Sequence, residues 1–343
     1  MNESIHPDLD SAARAFLDQC LRGTQRVRQI LPLQGDASTR RYFRCLDERG
    51  DSSILTVYPE RLDAGPFGYG QIYHLMRKIG IPVPEIIAID TAHGLILQED
   101  LGDSTLERYS TAFPERQTEQ LRRALDYILT MQVEGSRSFG PDCANHALRL
   151  DEARLEWELH FFLHHYLGDF RGLANPDTAG LREEFARIAC ELDQAAPVFC
   201  HRDYQVRTLM VRDDTLYVID FQDARWGPPT YDLVSLLKDS IHLDSGEIED
   251  LVDRYRQGIA ANEDAALAAG IRDESAFRRQ FHLMCIQRLL KALGTYGNQI
   301  AVRGNPAYSR LIPGTLERTL LSLKLVRGFP VTRRLVESEL GEI

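Results

Sequence analysis

The chain is long, acidic and ordinary in its globular composition. Its 343 residues exceed the ~250–300 at which a single core stops growing, so two lobes are expected. Hydrophobic residues make up 43% and charged residues 27%, and a formal net charge of −11 argues against a nucleic-acid-binding surface. No stretch approaches ~18 consecutive apolar residues, so neither a membrane span nor a membrane partner is expected.

Compartment and redox state are indicated by the first residues and by the cysteines. The opening sequence MNESIHPDLD lacks the basic-then-apolar pattern of a signal peptide. The six cysteines are scattered and form no CxxC pair, which disfavours both a disulfide framework and a structural zinc site. We therefore expect a cytoplasmic protein with reduced thiols.

The first hundred residues have the periodicity of a small sheet. Residues 8–30 predict a helix that covers this sheet, because apolar side chains recur at helical spacing from Leu9 to Leu21, with Gly23 following as a stop. A short helix is predicted at 71–80. Strands are predicted, with turn residues between them, at 30–33, 40–45, 52–58, 86–89 and 95–98. The pattern therefore indicates about five antiparallel strands with one inserted helix.

The rest of the chain is mostly helical. Residues 99–103 break the strand pattern and predict a hinge. Helices are predicted after it at 115–132, 151–167, 181–192, 231–240, 246–260, 274–296, 313–325 and 332–340. The expected fold class is α+β, with a β-rich N-terminal lobe at 1–101 and a larger α-helical lobe at 102–343. This order is typical of the two-lobe architecture of kinase-like proteins.

One hairpin within the helical lobe carries the chemistry. An apolar run at 197–200 leads into a polar loop, and strands at 209–211 and 216–219 are joined by Asp213 and Asp214. The hairpin brings Asp203 and Asp220 to neighbouring strand ends. Two such carboxylates, one beside a substrate hydroxyl and one on a divalent cation, are what phosphoryl transfer needs. The alternative is a surface hairpin with ordinary turn aspartates.

Several motifs, in this order, resemble those of the aminoglycoside phosphotransferase-like kinases. They are GDASTRRYFR, LQEDLGD, FCHRDYQ, IDFQDARWGPPTYDLVSLLKDS and QRLLKALGTYG. Within that family the combination looks most like the bacterial cell-wall amino-sugar kinases, which phosphorylate the anomeric hydroxyl of N-acetylmuramate and N-acetylglucosamine. The resemblance implies an ATP- and Mg²⁺-dependent sugar kinase of the protein-kinase-like fold. An antibiotic-modifying kinase is the alternative within the enzyme class.

Roles in the catalytic loop follow from the resemblance. It implies that Asp203 orients the substrate hydroxyl and accepts its proton, and that Asp220 holds Mg²⁺, a cation that prefers oxygen ligands. Structural roles around these two carboxylates are implied for His201, Arg202, Asp223 and Asp232.

The loop departs from the family pattern at Thr208, where an asparagine usually supplies a second ligand to magnesium. A threonine hydroxyl can also ligate Mg²⁺. Three alternatives are open: a working enzyme with an altered ligand, a weakened enzyme, or a substituted variant of an ordinary parent. A kinase-like protein that binds nucleotide or sugar without transferring phosphate is therefore a second functional class.

A second departure concerns the phosphates. The family usually has a lysine in the third strand that contacts the phosphates, and this chain has none there. The candidates for phosphate contact are therefore Arg40 and Arg41, which follow a turn that includes Gly35 and Ser38. Because neighbouring residues of a strand point to opposite faces, only one of the two arginines can serve.

Two further sets of residues complete the predicted site. The hinge is expected to offer backbone N–H and C=O groups to adenine from Gln98, Glu99 and Leu101. Substrate contacts are predicted for Glu158, Arg207 and Arg225, although exposed salt bridging is equally open for the two arginines. The expected partners are a nucleotide and a small sugar, and the expected assembly is a monomer or weak dimer.

Overall fold

The computed structural model describes residues 11–20, 27–33, 40–62, 68–173, 178–238, 243–261 and 271–342. An N-terminal helix, α1 (Ser11–Cys20), is followed by a five-stranded antiparallel sheet. Its strands are β1 (Val27–Leu33), β2 (Arg41–Asp47), β3 (Ser52–Val57), β4 (Ile86–Asp90) and β5 (Leu95–Glu99), in the spatial order β1-β2-β3-β5-β4. Helix α2 (Tyr69–Lys78) is inserted between β3 and β4.

The predicted helix over residues 8–30 is too long at its C-terminal end. Residues 27–30 belong to strand β1, which pairs with β2. Strand β1 lies at the edge of the sheet. An edge strand tolerates Pro32, because an N–H that points away from the sheet has no strand partner to lose. The helical spacing of apolar residues ends at Leu21, and pairing to β2 decides the conformation of residues 27–30.

Alternation along β2 gives the sheet two different faces. Phe43 and Cys45 are buried against Phe16 and Leu17 of α1. Tyr42 and Arg44, which alternate with them along the strand, face a large cleft on the other side. The sheet thus has one face for its core and one for a ligand.

The second part of the chain is helical, as predicted. Its helices are α3 (Leu106–Ala112), α4 (Gln117–Thr130), α5 (Glu152–Phe162), α6 (Ala179–Asp193), α7 (Thr230–Lys238), α8 (Ser245–Ala260), α9 (Glu274–Gly297), α10 (Ile312–Leu325) and α11 (Pro330–Gly341). π-Helical segments continue α4, α5 and α9, at Met131–Gly135, Leu163–Phe170 and Asn298–Val302. A helical turn at Ser136–Ser138 follows the first of these. The α+β fold class is confirmed.

Short strands carry the polar loops of the helical lobe. Strand β6 (Val198–Cys200) pairs with β9 (Arg225–Gly227), and β7 (Leu209–Arg212) pairs with β8 (Thr215–Val218). The turn between β7 and β8 holds Asp213 and Asp214 at φ 49° and 61°, the left-handed backbone that tight hairpins need. The predicted hairpin is therefore confirmed.

One hydrophobic core extends from α2 into the helical lobe. Tyr69 and Met76 of α2 belong to the same buried cluster as Met131 and Phe221. The rings of Tyr69 and Phe221 lie 4.8 Å apart. The boundary between lobes at residue 101 stays a prediction. The buried cluster just described has members on both sides of it. Among the helices that the structure describes, none combines the length and the apolar character that crossing a bilayer requires.

Candidate active site

A cleft of about 1390 Å³ lies between the sheet and the helical lobe. Its wall on the side of the sheet comes from β2, β3 and the hinge, and its floor comes from the loops after β6 and β8. Of the predicted site residues, the cleft brings together Arg40, Gln98, Glu99, Leu101, Asp203, Arg207, Thr208, Asp220 and Asp223. Two others, Gly35 and Ser38, lie outside the described residues.

The loop after β6 is held by a buried carboxylate. Asp232, fully buried near the start of α7, accepts hydrogen bonds from the backbone N–H groups of His201 at 2.6 Å and Arg202 at 3.0 Å. Arg202 has a φ of 84°, so these bonds stabilise a backbone conformation that side chains other than glycine rarely adopt. His201 donates from its ring Nε2 to the carbonyl of Ile219 at 3.0 Å, which ties the loop to the end of β8.

Asp203 is presented to the cleft by this loop. Its side chain is 36% exposed. Burial alone would raise its pKa, but Lys291, Arg202, Arg288 and His201 outweigh burial and hold the pKa of Asp203 well below its usual range. Asp203 is therefore ionised at neutral pH and can accept a hydrogen bond from a hydroxyl group.

Two of those cations come from helix α9. Lys291 lies 3.4 Å from Glu158 Oε1 and donates to the Tyr231 hydroxyl at 3.2 Å. The Arg288 guanidinium stacks over the Tyr231 ring at 4.3 Å and donates to the carbonyl of Arg202 at 3.2 Å. The motif QRLLKALGTYG contributed to the family resemblance, yet neither cation was predicted as a site residue. The pattern that could have identified them is their three-residue spacing, which places both cations on one face of the helix.

Asp220 begins the turn after β8 with a φ of 66°. Its Oδ1 accepts hydrogen bonds from Arg40 at 2.7 Å and from Gln222 at 2.8 Å. A carboxylate is the ligand type that Mg²⁺ prefers, and the Asp220 side chain is 29% exposed. The geometry fits a metal ligand, with an arginine from the opposite wall beside it.

Thr208 shapes the loop through its hydroxyl. The oxygen lies 2.7 Å from the carbonyl of Asp203 and accepts the backbone N–H of Gln205 at 3.0 Å. A hydroxyl has one proton to donate and two lone pairs, so one lone pair is left after these two bonds. Ligation of a metal by Thr208 stays a prediction.

The two candidate arginines point to different sides, as the alternation requires. Arg40 lines the cleft between the rings of Tyr42 and Tyr58, with its guanidinium 6.0 and 5.7 Å from their centroids. Arg41 is exposed on the other face, over the ring of Phe43. Of these two arginines, only Arg40 is therefore placed to contact a ligand in the cleft.

Several backbone and side-chain groups of the hinge form hydrogen bonds within the protein. Tyr69 donates to the side-chain oxygen of Gln98 at 2.7 Å, and the N–H of Glu99 donates to the carbonyl of Glu85 at 2.8 Å. The carbonyl of Asp100 accepts from Arg212 at 3.2 Å. Leu101 lines the cleft and is nearly buried, so it offers an apolar surface beside the hinge.

The predicted substrate-binding residues are placed in three different ways. Arg207 is exposed in the cleft. Arg225 is turned away and donates to the carbonyl of Asp223 at 2.8 Å and to its carboxylate at 3.1 Å. Glu158 is only 1% exposed and lies beneath the cleft, where Gln287 donates to it at 3.0 Å. Direct sugar contact by Glu158 is not supported, because helix α9 covers its carboxylate.

Comparison with known proteins agrees with this arrangement. A family model described as "Phosphotransferase enzyme family" matches residues 29–268. The chain is similar to the N-acetylmuramate/N-acetylglucosamine kinase of Pseudomonas aeruginosa, with 31% identity over 96% of this chain and 94% of that protein. The kinase of the same name from Neisseria meningitidis is also 31% identical, over 81% of this chain and 80% of that protein.

A solved structure supports the fold. An amicoumacin kinase aligns with a TM-score of 0.61 and 16% identity, over 95% of this chain and 97% of that one. The family model covers well over half of the chain, and the resemblance drawn from the motifs is confirmed. The chain therefore belongs to the phosphotransferase enzyme family.

Proposed function

We propose that this phosphotransferase transfers the γ-phosphoryl group of ATP to a sugar hydroxyl, the anomeric hydroxyl of N-acetylmuramate or N-acetylglucosamine, in cell-wall sugar recycling. The observation that carries the proposal is the placement of Asp203 and Asp220 on the floor of one cleft, with Arg40 on its opposite wall. The names and the extensive similarity of the relatives support this acceptor.

Asp203 acts on the acceptor in this proposal. Held ionised by neighbouring cations, it accepts a hydrogen bond from the sugar hydroxyl and aims the oxygen at the γ-phosphorus. Its lowered pKa makes it a weak base, so it takes the proton late, as the bond between oxygen and phosphorus forms. Orientation is therefore its larger contribution.

ATP binding is assigned to the sheet and the hinge in this proposal. Arg40 would grip a phosphate oxygen in place of the absent strand lysine, and residues 98–101 would surround adenine. Asp220 would hold Mg²⁺, with Thr208 as a second ligand, and the ion would supply positive charge that neutralises the phosphates. Nucleotide use is supported by the amicoumacin kinase, which was solved with AMP-PNP and Ca²⁺.

A panel of acceptors tests the proposal directly. Purified protein with ATP and Mg²⁺ should release ADP with N-acetylmuramate and N-acetylglucosamine, and not with the polycation kanamycin. Asp203→Asn should lower kcat by about 10²–10⁴-fold, the usual contribution of a positioned acid–base group. Turnover of kanamycin alone would instead support the antibiotic-modifying alternative, and near-full activity of Asp203→Asn would remove its assigned role.

A protein that binds but does not transfer phosphate is the second candidate, because of Thr208. Asparagine at this position would supply an amide oxygen in place of the hydroxyl. If Thr208→Asn raises kcat severalfold over a barely active native chain, the native metal site is impaired. Good native turnover that Thr208→Asn does not improve would favour the working enzyme.

A further inference from the structure

One face of helix α9 forms the wall of the cleft beside Asp203. The residues that line the cleft from α9 and from the adjoining turn Pro306–Leu311 are Arg288, Lys291, Ala292, Thr295, Tyr296 and Tyr308. Those from α9 recur at helical spacing and therefore share one face. Two are cations, two are aromatic, and none of the six is acidic.

From these residues, and on the basis of the proposed function, we propose that Lys291 is a specificity-determining residue that selects an acceptor sugar carrying a carboxylate over the same sugar without that charge. N-acetylmuramate differs from N-acetylglucosamine by a lactyl ether that ends in a carboxylate. An anion of this kind is the partner that an ammonium group presented to the cleft would bind.

Lys291 is held in place by contacts within the protein. Its ammonium contacts Glu158 Oε1 at 3.4 Å and the Tyr231 hydroxyl at 3.2 Å, and both groups lie beneath the cleft. An ammonium group has three N–H donors, so these two contacts leave one for a ligand. The Lys291 side chain is 20% exposed, in the cleft that it lines.

The charge of Lys291 is maintained by the same contacts. Burial opposes protonation, but Glu158, Tyr231 and Asp203 raise the pKa of Lys291 above its usual value. The buried carboxylate that was predicted to touch the sugar therefore acts one layer deeper, as the counter-ion of the residue that does so. A fixed, protonated donor binds a carboxylate at a smaller entropic cost than a mobile surface lysine.

The aromatic end of the wall suits the remainder of the sugar. The rings of Tyr296 and Tyr308 lie 5.7 Å apart at the edge of the cleft. Tyr296 is five residues beyond Lys291, about 7.5 Å along the helix axis at 1.5 Å per residue. A pyranose ring can therefore pack against the tyrosines while a substituent reaches Lys291.

The test compares N-acetylmuramate with its methyl ester, which keeps the bulk of the lactyl group and removes its charge. The native protein should have the higher kcat/KM for the acid. In Lys291→Met the ratio of acid to ester should fall about ten- to hundredfold, the value of a hydrogen bond to a charged group. The ratio is used because a loss of active protein affects both substrates equally.

Two further variants make the test independent of folding. Lys291→Met/Glu158→Gln removes the buried ion pair as a unit and should show the same loss of preference. Lys324→Met makes the same chemical change at an exposed position of α10, away from the cleft, and should leave the ratio unchanged.

Three results would overturn the inference. They are a native enzyme with equal kcat/KM for acid and ester, a variant ratio within about twofold of the native one, and an equal loss for both sugars with a raised KM for ATP. The last result would place Lys291 on the phosphates. If the native protein phosphorylates neither N-acetylmuramate nor N-acetylglucosamine, the proposed function itself fails, which is a distinct outcome.

Discussion

Arg40 and Arg41 are neighbours in sequence and have opposite surroundings. Arg40 enters the cleft and pairs with Asp220 from the far wall, whereas the exposed Arg41 lies on the other face of the sheet, beside Phe43. The cationic group from the sheet thus forms an ion pair with the carboxylate that is proposed to hold the metal. Alternation in a strand predicted that one arginine would serve, and β-sheet register decides which.

Arg40→Gln should raise the KM for ATP about tenfold or more, because a hydrogen bond between charged groups is lost. Arg41→Gln is the matched control, since it removes the same group from the other face of the same sheet. Steady-state kinetics at saturating sugar would measure both. Equal KM values for the two variants would contradict the assignment of Arg40 to the phosphates.

Lys291 illustrates what a sequence does not reveal at the scale of single residues. The sequence predicts acceptor contacts from Glu158, on a predicted helix of the helical lobe, and from Arg207 and Arg225, which flank the catalytic loops. Glu158 and Lys291 contact each other across two helices distant in sequence. A pattern within one helix can predict a face, but it cannot predict which face of another helix packs on it.

At the scale of elements, helix α9 lies unusually close to α5 and its π-helical continuation. A Cβ atom at Gly294 would lie 2.9 Å from Cα of Phe162, and one at Gly297 would lie 2.8 Å from Cα of Tyr166. Contacts this short involve backbone atoms, which cannot rotate away. These glycines therefore allow the two helices to approach and fix the depth of the wall that carries Lys291.

Gly297→Ala should destabilise the protein by about 1–3 kcal/mol through overpacking. A loss of stability would be informative, because helix propensity alone favours alanine over glycine by about 1 kcal/mol and would stabilise the variant. Gly341→Ala is the control, since no heavy atom lies within 4 Å of its added Cβ. Urea denaturation would measure both free energies of unfolding. A Gly297→Ala protein as stable as the native one would show that the helices can separate at no cost.

On the scale of the whole molecule, the two lobes share a hydrophobic core. Helix α2 belongs to the N-terminal lobe by sequence, yet Tyr69 packs on Phe221 in the turn after β8. A separate cluster, between α1 and the sheet, includes Phe16 and Phe43. The cleft therefore opens between parts that are joined beneath it by packed side chains.

Because of this shared core, we expect both lobes to unfold in one cooperative transition. Tryptophan fluorescence reports on the helical lobe, since Trp157 and Trp226 both lie there, whereas far-UV circular dichroism reports on the whole chain. The two urea-induced curves should have the same midpoint. An earlier loss of part of the circular dichroism signal would show that the N-terminal lobe unfolds independently.

The sequence by itself determined what depends on local patterns. Strands, the insertion of α2, the β7–β8 hairpin and the juxtaposition of Asp203 with Asp220 follow from periodicity and turn residues close in sequence. The motif order was enough to identify the family. Helix ends were less predictable, as at residues 27–30, because pairing with β2, a contact outside the local pattern, decides the conformation there.

Only the tertiary structure decided how distant segments meet. Strand β5 lies between β3 and β4, Arg40 reaches Asp220 across the cleft, and Lys291 lies beside Asp203 above a buried Glu158. Each of these depends on packing between elements far apart in the chain. The local pattern of residues specifies which surface of an element is apolar, whereas the partner of that surface is selected by the shape and charge of the whole molecule.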